Sequence, residues 1–353
     1  MSWNGNGRGN GGLPDRDQMA QKHIFYVHGR NTKPTPAAQK RMLRLAIGAG
    51  LRRVDQRAAK MFENSDVKFT VAYFGDIMNE LMLRARPELR PSMVHLRGKW
   101  YEPHLRDWAP LDELMARPTR SHGQSDYKEV IRQHKNQRFL DDLAHAFGPV
   151  SSVTGFTTYA LKRLFPDFGA YLTTRTWASR IRARLQGRLR RALARGDEIA
   201  LVSHSMGCVV SYDVLWKLSR LHEHRRVHDR RVSLWLTLGC PLGEKTIRDE
   251  LYDSNEPDDG RYPANILDWV NIAAHDDFVA RDSTVADDFK RMLERELVHR
   301  IKDMSRIYTF WIGSKGSNPH KSYGYLNHPR VARVLARWIR RDTTKHDPVE
   351  PTG

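Results

Sequence analysis

The sequence predicts an α/β protein in which helices cover both faces of a mostly parallel central sheet. Three observations predict it. Short apolar runs recur at 23–27, 198–202, 232–238 and 267–274, as expected of strands buried on both faces. Segments with helical apolar spacing lie between several of them, such as Val210, Val214 and Leu218. Strands alternating with helices argue for a parallel sheet covered by its crossovers. A chain of 353 residues can bury such a core.

Taken in order, residues 1–21 are Gly- and Asn-rich and read as a tail outside the fold. His23–Val27 is the first strand and runs into His28-Gly29-Arg30. Thr35 caps a helix with Pro36 in its first turn, predicted to reach about Phe62. Val67–Phe74 is the next strand. Residues 76–172 break the rhythm, with helical stretches near 77–85 and 127–144 and many aromatics, among them Trp100, Trp108, Phe156 and Phe168. They read as a lid-like insertion over the sheet edge, with added core packing as the alternative. A helix over 173–195 ends at Gly196. A strand over 198–202 and a helix to about Leu221 follow, then strands at 232–238 and 267–274. A helix over 283–297, a last strand over 306–313 and a final helix from His328-Pro329 complete a domain spanning 22–342. Residues 343–353 form a C-terminal tail.

Composition narrows the function. Cys208 and Cys240 are too few for a disulfide framework and read as small buried thiols. The N-terminus lacks a secretory signal, and no segment has the apolar length of a membrane span, so a cytoplasmic location is the expectation. The net charge of +18 favours anionic partners, an acidic lipid surface included. Seven arginines fall within 180–195, mostly on the solvated faces of a helix. No nucleic-acid module is present, so nucleic acid is not the expected partner. His222, Glu223, His224 and His228 cluster, but their spacing is not that of a metal site and arginines crowd them. No metal or other cofactor is expected.

Chemistry concentrates at the strand ends. Residues 203–207 read Ser-His-Ser-Met-Gly between a strand and a helix. A nucleophilic serine must project above its strand on a sharp turn, with small residues two before and two after it. Gly207 meets that need; Ser203 stands where glycine is usual. An activated serine needs a base, and the base an orienting carboxylate. His275, Asp276 and Asp277 follow one strand, and His320 follows the last.

On these motifs the chain resembles the α/β-hydrolase superfamily, in its lipase- and esterase-like form, over about 22–342. His28-Gly29 resembles the oxyanion loop, Ser203–Gly207 the nucleophile elbow, Asp277-Phe278-Val279 the segment carrying the acid, and His320–Tyr323 the loop delivering the histidine. The resemblance implies a Ser205–Asp277–His320 triad, with Asp276 as the alternative acid and His328 as the alternative base. It implies oxyanion donors at the N–H groups of Met206 and Arg30, with His28, Gly29, Ser203, His204 and Gly207 in support. The implied reaction is hydrolysis of a small-molecule or lipid ester. A phospholipase acting at anionic surfaces and a non-catalytic binding domain are the alternatives.

Overall fold

The computed structural model describes residues 21–85, 90–91, 94–96, 108–133, 166–313 and 316–341. Residues 1–20 of the expected N-terminal tail, the expected C-terminal tail at 343–353 and much of the expected insertion, including the 127–144 helix beyond Gln133, lie outside them.

Six strands form one sheet: β1 (Lys22–Val27), β2 (Lys68–Ala72), β3 (Glu198–His204), β4 (Val232–Leu238), β5 (Ile266–Ala274) and β6 (Arg300–Ile307). Their order is β2-β1-β3-β4-β5-β6, and every neighbouring pair is parallel. The chain therefore reverses direction across the sheet between β1 and β3, the switch point where open α/β sheets gather functional groups beyond their strand ends.

Alternation along each strand feeds two cores. Ile199 and Leu201 of β3 face one side; Ala200 and Val202 face the other. The first core is closed by α3 (Gly75–Ala85), α7 (Arg175–Arg195) and α8 (Met206–Arg220). The second is closed by α1 (Pro36–Val54), α2 (Gln56–Glu63) and the C-terminal helices α10 (Ser322–Asn327) and α11 (Pro329–Arg340). Between α3 and α7 lie α4 (Trp108–Ala116), α5 (Gln124–Gln133) and α6 (Pro166–Thr173). Leu111, Leu114, Tyr127 and Val130 of α4 and α5 are buried in the second core, so this part of the insertion packs against the domain.

Several expectations need correction. The helix from Pro36 stops at Val54, because Asp55 turns extended and caps α2 through a bond from the Ala58 N–H (3.0 Å). The helix expected over 173–195 forms as α7 and ends at Gly196 as expected, with the separate α6 preceding it across Thr174. Only α9 (Lys290–Glu294) forms within 283–297. The last sheet strand lies at Arg300–Ile307, not 306–313. Its polar side chains hold its register: Asp303 accepts from Asn271 Nδ2 (2.8 Å), and Arg300 pairs with Asp268 (3.1 Å). The apolar Phe310 and Trp311 bury in the second core outside that sheet. Ile312–Gly313 (β7) instead pairs antiparallel with Gly316–Ser317 (β8). Among the described residues, no helix is long and apolar enough to cross a membrane.

Candidate active site

Ser205 sits between the end of β3 and the start of α8, at φ 57° and ψ −132°. A non-glycine residue there is strained, so its surroundings must hold it. Its N–H donates to the Leu238 carbonyl (3.0 Å), and its own carbonyl accepts from the Cys208 N–H (2.8 Å). A Cβ on Gly207 would lie 2.8 Å from the His28 carbonyl oxygen, so only glycine lets α8 approach β1 this closely. The Ser203 side chain has found a use: its hydroxyl meets that of Ser211 on α8 (2.7 Å) and accepts from Trp235 Nε1 on β4 (3.1 Å). Met206 opens α8, where an N–H has no partner within the helix.

Two further strand ends complete the group. His320 Nε2 lies 2.8 Å from Ser205 Oγ, and its Nδ1 lies 2.8 Å from each oxygen of Asp277. The carboxylate can only accept, so Nδ1 carries a proton and Nε2 presents its lone pair to the serine hydroxyl. Asp277 is fully buried while 17% of the His320 side chain is exposed, so solvent reaches the imidazole but not the carboxylate. Burial opposes ionisation of Asp277, yet His320 and its other hydrogen bonds hold the carboxyl below its ordinary value. The Val279 N–H (3.0 Å) and the Ala280 N–H (3.4 Å) donate to Oδ1, and the Tyr325 hydroxyl (2.5 Å) donates to Oδ2.

The histidine loop is fixed at three points. Thr309 Oγ1 donates to the Pro319 carbonyl (2.8 Å), the His320 N–H to Asn318 Oδ1 (3.0 Å), and His204 Nε2 to the His320 carbonyl (2.7 Å). Burial and the neighbouring His320 push the His204 pKa well below normal, so His204 is a neutral strut.

The loop after β1 lies directly against the serine. A Cβ on Gly29 would come within 2.7 Å of the Ser205 Cβ. His28 is buried and neutral, its pKa lowered first by burial and then by the charge of Lys33. Its Nδ1 donates to the Gly29 carbonyl (2.8 Å), and its Nε2 accepts from the Phe74 N–H (3.0 Å). Asp167 of α6 takes Arg30 Nε (3.1 Å) and the Asn31 N–H (2.8 Å), tying the loop to the insertion.

The two alternatives lie elsewhere. Asp276 bonds the Tyr127 hydroxyl (3.2 Å) and pairs with His275 (2.9 Å), beside a separate open cleft of about 320 Å³. His328 caps α11 through Nδ1, and burial pulls its pKa down to about 3. Among the described residues, no group of three or more His, Cys, Asp or Glu side chains is arranged to hold a metal ion. His224 instead meets Gln186 (2.9 Å) and Glu223 (3.1 Å). Cys208 and Cys240 are buried and free.

No family model, curated protein or solved structure matches this chain. The geometry therefore carries the chemistry alone. Three residues have site roles that sequence reasoning missed. Tyr325 holds the carboxylate, and Asp167 holds the loop. At Gly239 (φ 56°), a Cβ would lie 2.8 Å from Asp277 Oδ2 and 3.0 Å from His320 Nδ1. The one local signal was Gly239 itself, which directly follows a predicted strand.

Proposed function

We propose that this chain is a serine hydrolase of α/β-hydrolase type that cleaves a carboxylic ester through an acyl-enzyme. The observation that carries this reading is the continuous relay from Ser205 Oγ to His320 to Asp277, both links at 2.8 Å. The positive φ of Ser205, the all-parallel strand order and the sequence of nucleophile, acid and base after β3, β5 and β6 support it.

In this reading, Ser205 Oγ attacks the ester carbonyl carbon while its proton passes to His320 Nε2. Ionised Asp277 balances the imidazolium. The oxyanion accepts from the N–H groups of Met206 and Arg30. The tetrahedral intermediate collapses, the C–O bond to the leaving alcohol breaks, and His320 returns the proton to that oxygen. Water, deprotonated by His320, then attacks the acyl-enzyme and releases the acid.

A fluorophosphonate probe tests the reading. The parent protein should be labelled and Ser205→Ala should not, with ester turnover in that variant falling by roughly 10⁴-fold or more. An unlabelled parent, or equal labelling of Ser205→Ala, would refute it. Hydrolysis of p-nitrophenyl esters of graded chain length then sorts esterase from lipase.

A further inference from the structure

Beyond the hydrolase reading, the edge of the sheet holds a second site. Edge strands expose backbone groups that proteins usually cover. Here α7 runs beside the edge strand β2, and Arg188 donates to the Val71 carbonyl (2.9 Å). Arg184, Arg188, Arg191 and Arg195 recur at steps of four, three and four, so one face of α7 presents all of them. Lys40 of α1 and Lys68 of β2 join them around a groove of about 550 Å³.

Six cations thus line one concavity, and none of its lining residues is acidic. Asp76 pairs with Arg184 (2.7 Å) and Asp197 with Arg195 (2.6 Å), both carboxylates standing outside the lining. Asp197 is also held by His23 Nδ1 (3.1 Å). Lys40 and Arg191 are exposed and form no ion pair with any described residue. Like charges gathered in a cleft raise the local potential and concentrate anions there. Arginine forks match phosphoryl oxygens in pairs.

The shape selects among anions. Tyr252 is the only large apolar side chain exposed among the described residues, and it packs at a tilt against Trp216 (5.3 Å between ring centroids) instead of rimming the groove. Among the described residues, the groove has no apolar face for lipid insertion beside it. The aromatic residues of the lining, Phe25 and Tyr73, are buried and offer no platform for stacking bases. We propose that the groove binds a soluble anion bearing several phosphoryl groups. Tyr73 lines the groove and its ring lies 5.7 Å from that of His28, but Ser205, Asp277 and His320 are not in the lining, so the ligand sits near the candidate active site and not in it.

Calorimetric titration of the full chain with inorganic triphosphate tests this. One saturable site is expected, weakened by added salt. Lys40→Gln with Arg191→Gln should lower affinity at least tenfold. Arg225→Gln with Arg226→Gln removes the same charge at exposed positions elsewhere and should leave affinity within about twofold. Both pairs are on the surface, and matching urea midpoints would exclude a folding defect. Absent saturable binding, equal weakening by the two pairs, or no weakening by either overturns the proposal. Sedimentation with phosphatidylserine-containing vesicles, or retention on duplex DNA, that needs Lys40 and Arg191 while triphosphate does not bind also overturns it.

Discussion

Tyr325→Phe is the most informative single change, because one hydroxyl serves both the scaffold and the triad. Tyr325 is fully buried, donates to Asp277 Oδ2 at 2.5 Å and accepts from the Ala274 N–H at 2.7 Å. Its removal leaves a buried N–H unpaired, costing about 1–3 kcal/mol, and takes a donor from a charged acceptor, costing about 1.5–3 kcal/mol. A combined loss of about 2.5–6 kcal/mol, set against an unfolding entropy of about 0.7 kcal/mol/K for a domain of this size, lowers Tm by about 4–9 °C. The Asp277–His320 contact survives, so labelling by a fluorophosphonate should slow only about tenfold. Tyr325 is also among the groups that hold the Asp277 carboxyl below its ordinary value. A depressed carboxyl contributes stability above its unfolded pKa of about 3.9, lost as pH falls through the folded value. Losing the donor raises the folded value, so the variant should lose less stability than the parent as pH falls toward 3. Thermal melts across pH 3–8 read that difference, and labelling at neutral pH reads the slowing. A Tm within 1 °C of the parent across that range would refute the reasoning.

Three further predictions rest on other contacts. Gly239→Ala drives a methyl between Asp277 and His320, and should lower kcat/KM for an ester by more than about a hundredfold. Activity within threefold of the parent would contradict that geometry. Ser203→Gly restores the usual glycine but strands Trp235 Nε1–H and the Ser211 hydroxyl, so urea unfolding should show a loss of about 1–3 kcal/mol with no faster acylation. Buried His328 stays neutral to about pH 3, whereas an unfolded histidine takes up a proton below about 6.5. Its stabilising contribution is complete above that value and is lost as pH falls. Between pH 7.5 and 5.5 the parent should therefore lose about 1.4 kcal/mol more than His328→Asn, which keeps a capping acceptor. Equal losses in urea titrations would remove His328 from the acid response.

The sequence and the structure agree where local chemistry decides. β3 and β4 are apolar on both faces and end in turn residues, so they are legible; so are Ser205, Asp277 and His320, each just past a strand. β6 was displaced because an edge strand needs only one buried partner: its Arg-Ile-Lys-Asp-Met-Ser pattern is polar, while the neighbouring Tyr308–Trp311 is apolar and mimics a strand. The break at Asp55 turns on one capping side chain inside an otherwise helical pattern. Tyr325 and Asp167 act across 48 and 137 positions of sequence, to Asp277 and Arg30, a reach that periodicity does not encode.

The glycines at 29, 207 and 239 give the site a particular fragility. Each stands where a single methyl would strike Ser205, the backbone beneath it, or Asp277 and His320. Cores usually fail by losing atoms; this site fails by gaining them. In a mutational scan, the three positions should be intolerant of every replacement, alanine included, while small exchanges at Ser203 and Ser211 should cost stability and not activity. The Ser205–His320–Asp277 arrangement is thus defined as much by three absent carbons as by the three side chains that touch.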